Sequence, residues 1–482
     1  MTVPVCDRTA VELAEDRSSG LISSVDLVRS CLERIAALNP ALNAVCTLNP
    51  HALAEAAVSD QLRKAGEPLG LLDGIPFVAK DNLETRGLRT TFGSRLMAEY
   101  VPDEDAVSVE RLHRAGAVLL GKTNTPEFAV HLRTDNLLFG PTRNPFDLRC
   151  SAGGSSGGTA AAIASGMAPI GLGTDLGGSI RMPAAMCGIV GLRPSPGRVP
   201  VYPTEFGWDT LIPHVQGPMA RGVADLGLVL AALAGPDERD PTSLPEPTVD
   251  YALAGRAKEG VQGRRVAYCH DLGGLLPIDP EVGNLARAAA RGFERLGCSV
   301  EEAAFDASDL MAIIAGTRGF GMIARYANRA EAAGGQMTRL LLDQLEEARH
   351  LDMRAVAEAE RLRTRYWHGV RRLFERYDYI VAPTIGAPAF RLDEPLPGMV
   401  GGRPVARPSD VYRYTYAFTI VGLPVAAVPC GHTREGLPVG LQIVARRLAD
   451  ESALQAAAAF TALHPDWIAK PSTLHVQPQS AV

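Results

Sequence analysis

The chain has 482 residues, 46% hydrophobic and 21% charged, and its net charge of -6 is spread without acidic or basic blocks. That length exceeds what one core usually supports, so two lobes or one very large domain are both allowed. The composition is that of a globular protein; it excludes the clustered basic face of a nucleic-acid binder and holds no apolar run near the roughly 20 residues that span a bilayer.

The N-terminus, Met1-Thr-Val-Pro-Val-Cys-Asp-Arg, lacks the cationic and apolar stretches of a secretory signal. From Thr9 to Leu38 the apolar spacing predicts two helical pieces, the second opened by Ser23 with Asp26 and ended by Asn39-Pro40. Short apolar runs at Ile75 to Ala79, Ala117 to Leu120, Pro169 to Leu172 and Ile189 to Leu192 read as buried strands. Helical stretches such as Ala106 to Ala115 and Gly157 to Gly166 lie between them. This alternation predicts an α/β sheet covered on both faces.

A Pro-rich connection runs from Gly235 through Pro247. Strand, helix and strand then restart at Val266 to Cys269, Asp279 to Leu296 and Val300 to Ala303. Residues 338–376 read as helix whose mixed-sign charges form a solvated face. Tyr379 to Ala382, Val425 to Val428 and Val439 to Val444 read as returning strands, and Glu451 to Leu463 as a last helix. The tail from 471 to 482 is expected to be flexible.

The eight cysteines are scattered, with no C-x-x-C pair, which points to reduced thiols in a cytoplasm. The ten histidines include no H-E-x-x-H or comparable pair, so no metal site is expected. Gly116 to Thr123 satisfies the phosphate-loop pattern, but its middle is strand-like and Asn124-Thr125-Pro126 follows where a helix should start. Gly171 to Gly177 is one residue too long for a dinucleotide fingerprint. Gly154-Ser-Ser156-Gly-Gly158 matches a nucleophile elbow, yet no strand precedes it and no histidine stands in a telling context.

Two Gly/Ser clusters bracket one helix–strand unit: Gly153-Gly-Ser155-Ser156-Gly-Gly158 and Asp175-Leu-Gly177-Gly178-Ser179-Ile-Arg181. Upstream, Lys80-Asp81-Asn82 sits at the end of an apolar strand. On these motifs the chain resembles the amidase signature family of hydrolases, and the likeness runs over nearly its whole length. The resemblance implies a large, twisted, mixed β-sheet with helices on both faces (α/β/α). It implies one domain over 1–470: N-terminal helices 9–66, a catalytic core of about 70–235, a variable helical section of about 240–375, and returning strands with a last helix at 378–465. No cofactor is implied.

The same resemblance places the nucleophile at Ser179, a bridging serine at Ser155 in a cis peptide with Gly154, and the general base at Lys80. A lysine acts as a base only when neutral, and burial lowers its pKa from about 10.4. Backbone N–H groups of Leu176, Gly177, Gly178 and Ser179 match the family's oxyanion hole, with glycine leaving room for the carbonyl. Ser156, Thr174, Asp175 and Arg181 read as supporting scaffold, and Ser155 and Ser179 also suit helix caps. Gly154, Phe206 and Trp208 are candidate substrate contacts, the two aromatic residues hinting at an apolar or aryl substrate. Small amides or carbamates are the expected partners, with no nucleic acid and no membrane. Met182 and the segment Ser195-Pro-Gly-Arg-Val-Pro look more like the stand-alone amidases of the family; esters, a homodimer, or, as the alternative, the glutaminase subunit of a tRNA-linked amidotransferase are also admitted, and a non-catalytic scaffold is disfavoured by the intact Lys80, Ser155 and Ser179.

Overall fold

Successive residues of a strand point to opposite faces of its sheet, and the central strands here are apolar on both. Phe77, Ala79 and Leu119 pack into one core, whereas Val78, Val118 and Leu120 pack into another. A strand buried on both sides needs cover on both. The computed structural model, which describes residues 4–470 apart from 210, 258, 334, 406 and 407, supplies it with helices. Ala10–Ser18, Val223–Leu233 and Asp450–Leu463 pack on the first face, and Ser24–Leu42, Ala52–Lys64 and Gly157–Ala164 on the second.

The strands in chain order are β1 (Val45–Leu48), β2 (Pro76–Lys80), β3 (Val118–Thr123), β4 (Ile170–Asp175), β5 (Val190–Arg193), β6 (Val215–Ala220), β7 (Arg265–Tyr268), β8 (Ser299–Glu302) and β9 (Tyr379–Pro383). Then come β10 (Met399–Val400), β11 (Arg403–Pro404), β12 (Val425–His432) and β13 (Pro438–Val444). Eleven of them form one mixed sheet in the order β1-β3-β2-β4-β6-β5-β12-β13-β9-β7-β8, and β10 pairs with β11 apart from it. β2 runs parallel to both β3 and β4, while β4 and β6 are antiparallel with Thr174 opposite Gln216. Among the described residues no helix is long and apolar enough to cross a membrane.

Three expectations change. The second N-terminal helix does not end at Asn39-Pro40 but carries Pro40 inside it to Leu42. Left-handed Asn43 closes it, its N–H donating to Asn39 O at 2.7 Å. The stretch 338–376 is two helices, Arg339–Arg349 and Met353–Arg376, divided where the Asp352 side chain accepts from the Ala355 N–H at 2.8 Å. A 23-residue helix, Leu310–Ala332, stands where the sequence pattern marks no element. The tail 471–482 lies outside the described residues.

Candidate active site

Parallel neighbours end on the same side of a sheet, and the crevice at their carboxyl ends is where open α/β sheets bind ligands. β2 ends in Lys80 and β4 in Thr174-Asp175, which brings those residues together. The Lys80 side chain is fully buried; its Nζ lies 2.6 Å from Ser155 Oγ and donates to Thr174 Oγ1 at 2.8 Å. Asn82 Nδ2 donates to the same Thr174 oxygen at 3.2 Å.

Among the described residues Lys80 has no ion-pair partner. Burial holds its pKa well below the usual lysine value, against the opposing pull of Asp175. That pull is blunted because Asp175 is itself bound by Arg181, at 2.9 and 3.0 Å, and lies 3.4 Å from Arg193. Burial alone would raise the Asp175 pKa, but the two guanidinium groups hold it below the ordinary carboxylate range.

Gly154–Ser155 is a cis peptide. The Ser156 N–H donates to Ser179 O at 3.0 Å, tying the two Gly/Ser clusters together. Ser156 Oγ donates to Thr174 O and accepts from Thr174 N–H, each at 3.4 Å. Neither Ser155 nor Ser179 caps a helix, since the helices that follow start from Ser156 and Ile180 without a side-chain cap bond. Ser155 is buried, while the half-buried Ser179 lines a cavity of about 1320 Å³. Among the described residues the Ser179 hydroxyl has no hydrogen-bond partner, so its bond to Ser155 is open here.

Of the expected oxyanion donors, Gly178 is occupied, because its N–H donates to Asp175 Oδ1 at 2.7 Å. The N–H groups of Leu176, Gly177 and Ser179 have no acceptor among the described residues, and all three residues line the cavity. Packing by neighbouring side chains also requires glycine at both positions 177 and 178. A Cβ on Gly177 would run into the Tyr416 ring, and one on Gly178 (φ +121°) into the Thr415 side chain. Thr415 Oγ1 donates to Gly177 O at 2.6 Å, so residues from far along the chain shape this loop.

Phe206 lines the cavity, but Trp208 is 73% exposed and does not. Gly154 does not line it either, being packed against the backbone of His131 and Leu132. The section after 240, without a role on sequence grounds, builds a wall: Ile314, Arg318 and Met322 face the cavity from one helix and Leu340, Gln344 and Glu347 from the next. The second helix is therefore more than a solvated face.

Several lining residues carry no signal in a lone sequence. Burial, with the nearby guanidinium groups of Arg325 and Arg193, pushes the half-buried His214 down to about 3, leaving it neutral. Burial pushes the Glu84 carboxyl up to about 7. Lys122, from the false phosphate loop, is buried in β3 and donates to Leu83 O, to Thr85 Oγ1 at 2.8 Å and to Thr90 Oγ1 at 3.2 Å, steadying the turn after Lys80.

The family model described as Amidase matches residues 26–454. An acylamidase of Rhodococcus erythropolis is 36% identical over 463 residues, covering 95% of each chain. One subunit (the A chain) of the glutamyl-tRNA(Gln) amidotransferase of Moorella thermoacetica is 38% identical over 478 residues, covering 94% of this chain and 96% of its own. The crystal structure of a bacterial aryl acylamidase of the amidase signature enzymes superposes with a TM-score of 0.90 at 31% identity, covering 98% of this chain and 99% of that one.

Proposed function

The chain belongs to the amidase family and is an amidohydrolase; from that premise we propose that it acts alone on small apolar or aryl amides, and on related carbamates or esters, through Lys80, Ser155 and Ser179. The observation that carries this reading is the buried amine of Lys80, 2.6 Å from Ser155 Oγ, without an ionic partner among the described residues. Desolvation favours its neutral form, the form that can act as a base. The contact between the Ser179 and Ser155 hydroxyls forms on this reading when substrate binds, as catalytic hydrogen bonds commonly tighten then.

Lys80 then takes the Ser155 proton while Ser155 takes that of Ser179, whose oxygen attacks the carbonyl carbon. The oxyanion is met by the N–H groups of Leu176, Gly177 and Ser179, donors typically worth about 3 kcal/mol each. As the tetrahedral intermediate collapses, the proton returns through Ser155 to the leaving nitrogen and the amine departs. Water attacks the acyl-Ser179 ester by the same relay, releasing the acid. Asp175 and Arg181 shape the loop, and Phe206 lies where an aryl group would pack.

A fluorophosphonate should label Ser179, with labelling and p-nitroanilide hydrolysis both lost in Ser179→Ala. Hydrolysis persisting in Ser179→Ala would overturn the assignment. The Moorella relative favours a second reading, in which the chain is the glutaminase of a larger complex; glutamine hydrolysis and copurification with a larger partner would select it over the first.

A further inference from the structure

The proton that Ser155 returns has to reach the leaving nitrogen, so that nitrogen sits on the Lys80 side of the reacting carbon, opposite the oxyanion donors. Two amide side chains flank that side. Asn82 reaches Thr174, the residue that holds Lys80, and Gln216 stands directly across from Thr174 in the β4–β6 ladder. Directly paired residues of antiparallel strands present their side chains on one face, and both Asn82 and Gln216 line the cavity. Gln216 is only 3% exposed.

Among the described residues, Asn82 Oδ1 and Gln216 Oε1 are both buried acceptors without a hydrogen-bond partner. An orphaned buried acceptor is costly, and most such groups in folded proteins are satisfied. Two of them beside Thr174, the residue that holds Lys80, form an empty seat for N–H donors. Resting on the Lys80–Ser155–Ser179 reading, we propose that Asn82 and Gln216 accept the N–H of the leaving nitrogen and so select amides that carry one over N-alkylated amides and esters. An ester oxygen brings no hydrogen to this seat, and a tertiary amide fills it with carbon, leaving both acceptors unpaired in the transition state.

The test compares an anilide, its N-methyl derivative and the phenyl ester of the same acyl group. Each is assayed for kcat/KM on the wild type and on Gln216→Met, which keeps the length and removes the acceptor. The anilide-to-ester ratio should fall about 10- to 100-fold in the variant, and the preference for anilide over N-methylanilide should shrink with it. A ratio that does not move overturns the proposal, since a purely structural loss lowers all three rates together. Fluorophosphonate labelling of Ser179 reports whether the variant is folded; if Gln216→Met fails to label, Asn82→Leu enters the same comparison. Labelling and dependence on Ser179 with an unmoved ratio sinks only the seat, whereas activity without Ser179 sinks the reading beneath it.

Discussion

Asp175 presents both carboxylate oxygens to Arg181, Oδ2 to Nε at 3.0 Å and Oδ1 to a terminal nitrogen at 2.9 Å, with both side chains fully buried. Arg181 also donates to Thr415 O at 2.8 Å, Gln442 Oε1 at 2.8 Å and Thr419 Oγ1 at 2.6 Å. Every N–H of the guanidinium is thus engaged. Removing one member of a buried pair leaves an uncompensated charge, at a cost of about 3–5 kcal/mol. With Arg193 still 3.4 Å from Asp175, Arg181→Met should lower the unfolding free energy in urea toward the low end of that range, and Arg181→Lys should recover only part, having three donors for five and no planar fork.

Lys80 should trade stability for activity. Its folded pKa lies well below the unfolded value of about 10.4. Between those two values the unfolded chain binds more protons, so Lys80 makes stability rise with pH across that window. In Lys80→Met this rise should vanish from unfolding curves taken between pH 7 and 10, while kcat falls at least about 10³-fold, within the usual range for a general base. Arg193→Gln should act through the same group: with less positive charge on Asp175, the Lys80 pKa rises and the acid limb of kcat/KM moves to higher pH.

The loop between Leu176 and Ser179 packs closely against Thr415 and Tyr416. Gly177→Ala drives a methyl into the Tyr416 ring, and overpacking of this kind costs about 1–3 kcal/mol. Displacement of the neighbouring N–H donors by even about 1 Å should lower kcat about 100-fold. Adding Tyr416→Ala should return part of the stability, measurable in the double variant.

The meeting of Lys80 and Ser155 is legible in the sequence because each sits in a motif whose residue types have few other uses together. Thr174 was legible as scaffold, but its contact with Lys80 depends on the β2–β4 register, which one strand cannot report. Gly178 misled for a related reason: its N–H belongs to Asp175, a bond set by how the loop turns. The helix Leu310–Ala332 falls in the section that the family resemblance makes helical, but the residue pattern alone does not mark it, because Gly316, Gly319 and Gly321 are poor helix formers. Its formation rests on tertiary packing, with Gly316 meeting Ala359 and Gly319 meeting Leu351 too closely for a side chain. Gln216 gave no signal at all, since a polar residue in a strand marks a pocket only once its neighbours across the ladder are known.

Glu84 sets an expectation at neutral pH. Its half-buried carboxyl lines the cavity, and burial pushes its pKa up to about 7, so it is mostly protonated below that pH and anionic above it. A cation bound within several ångströms gains on the order of 1 kcal/mol when the carboxyl ionises, allowing for water in the cavity. The KM of a positively charged anilide should therefore fall about three- to ten-fold between pH 6 and 8, while that of a neutral anilide follows no such step. Glu84→Gln should flatten the charged substrate's profile and leave the neutral one's shape intact. Stability runs the other way: an acid with a raised folded pKa binds its proton more tightly when folded, so its contribution declines as pH rises from about 4.3 to about 7. The same Glu84→Gln variant should lose that decline in urea titrations. A KM step surviving the substitution would assign the neutral-pH transition to another group facing the cavity.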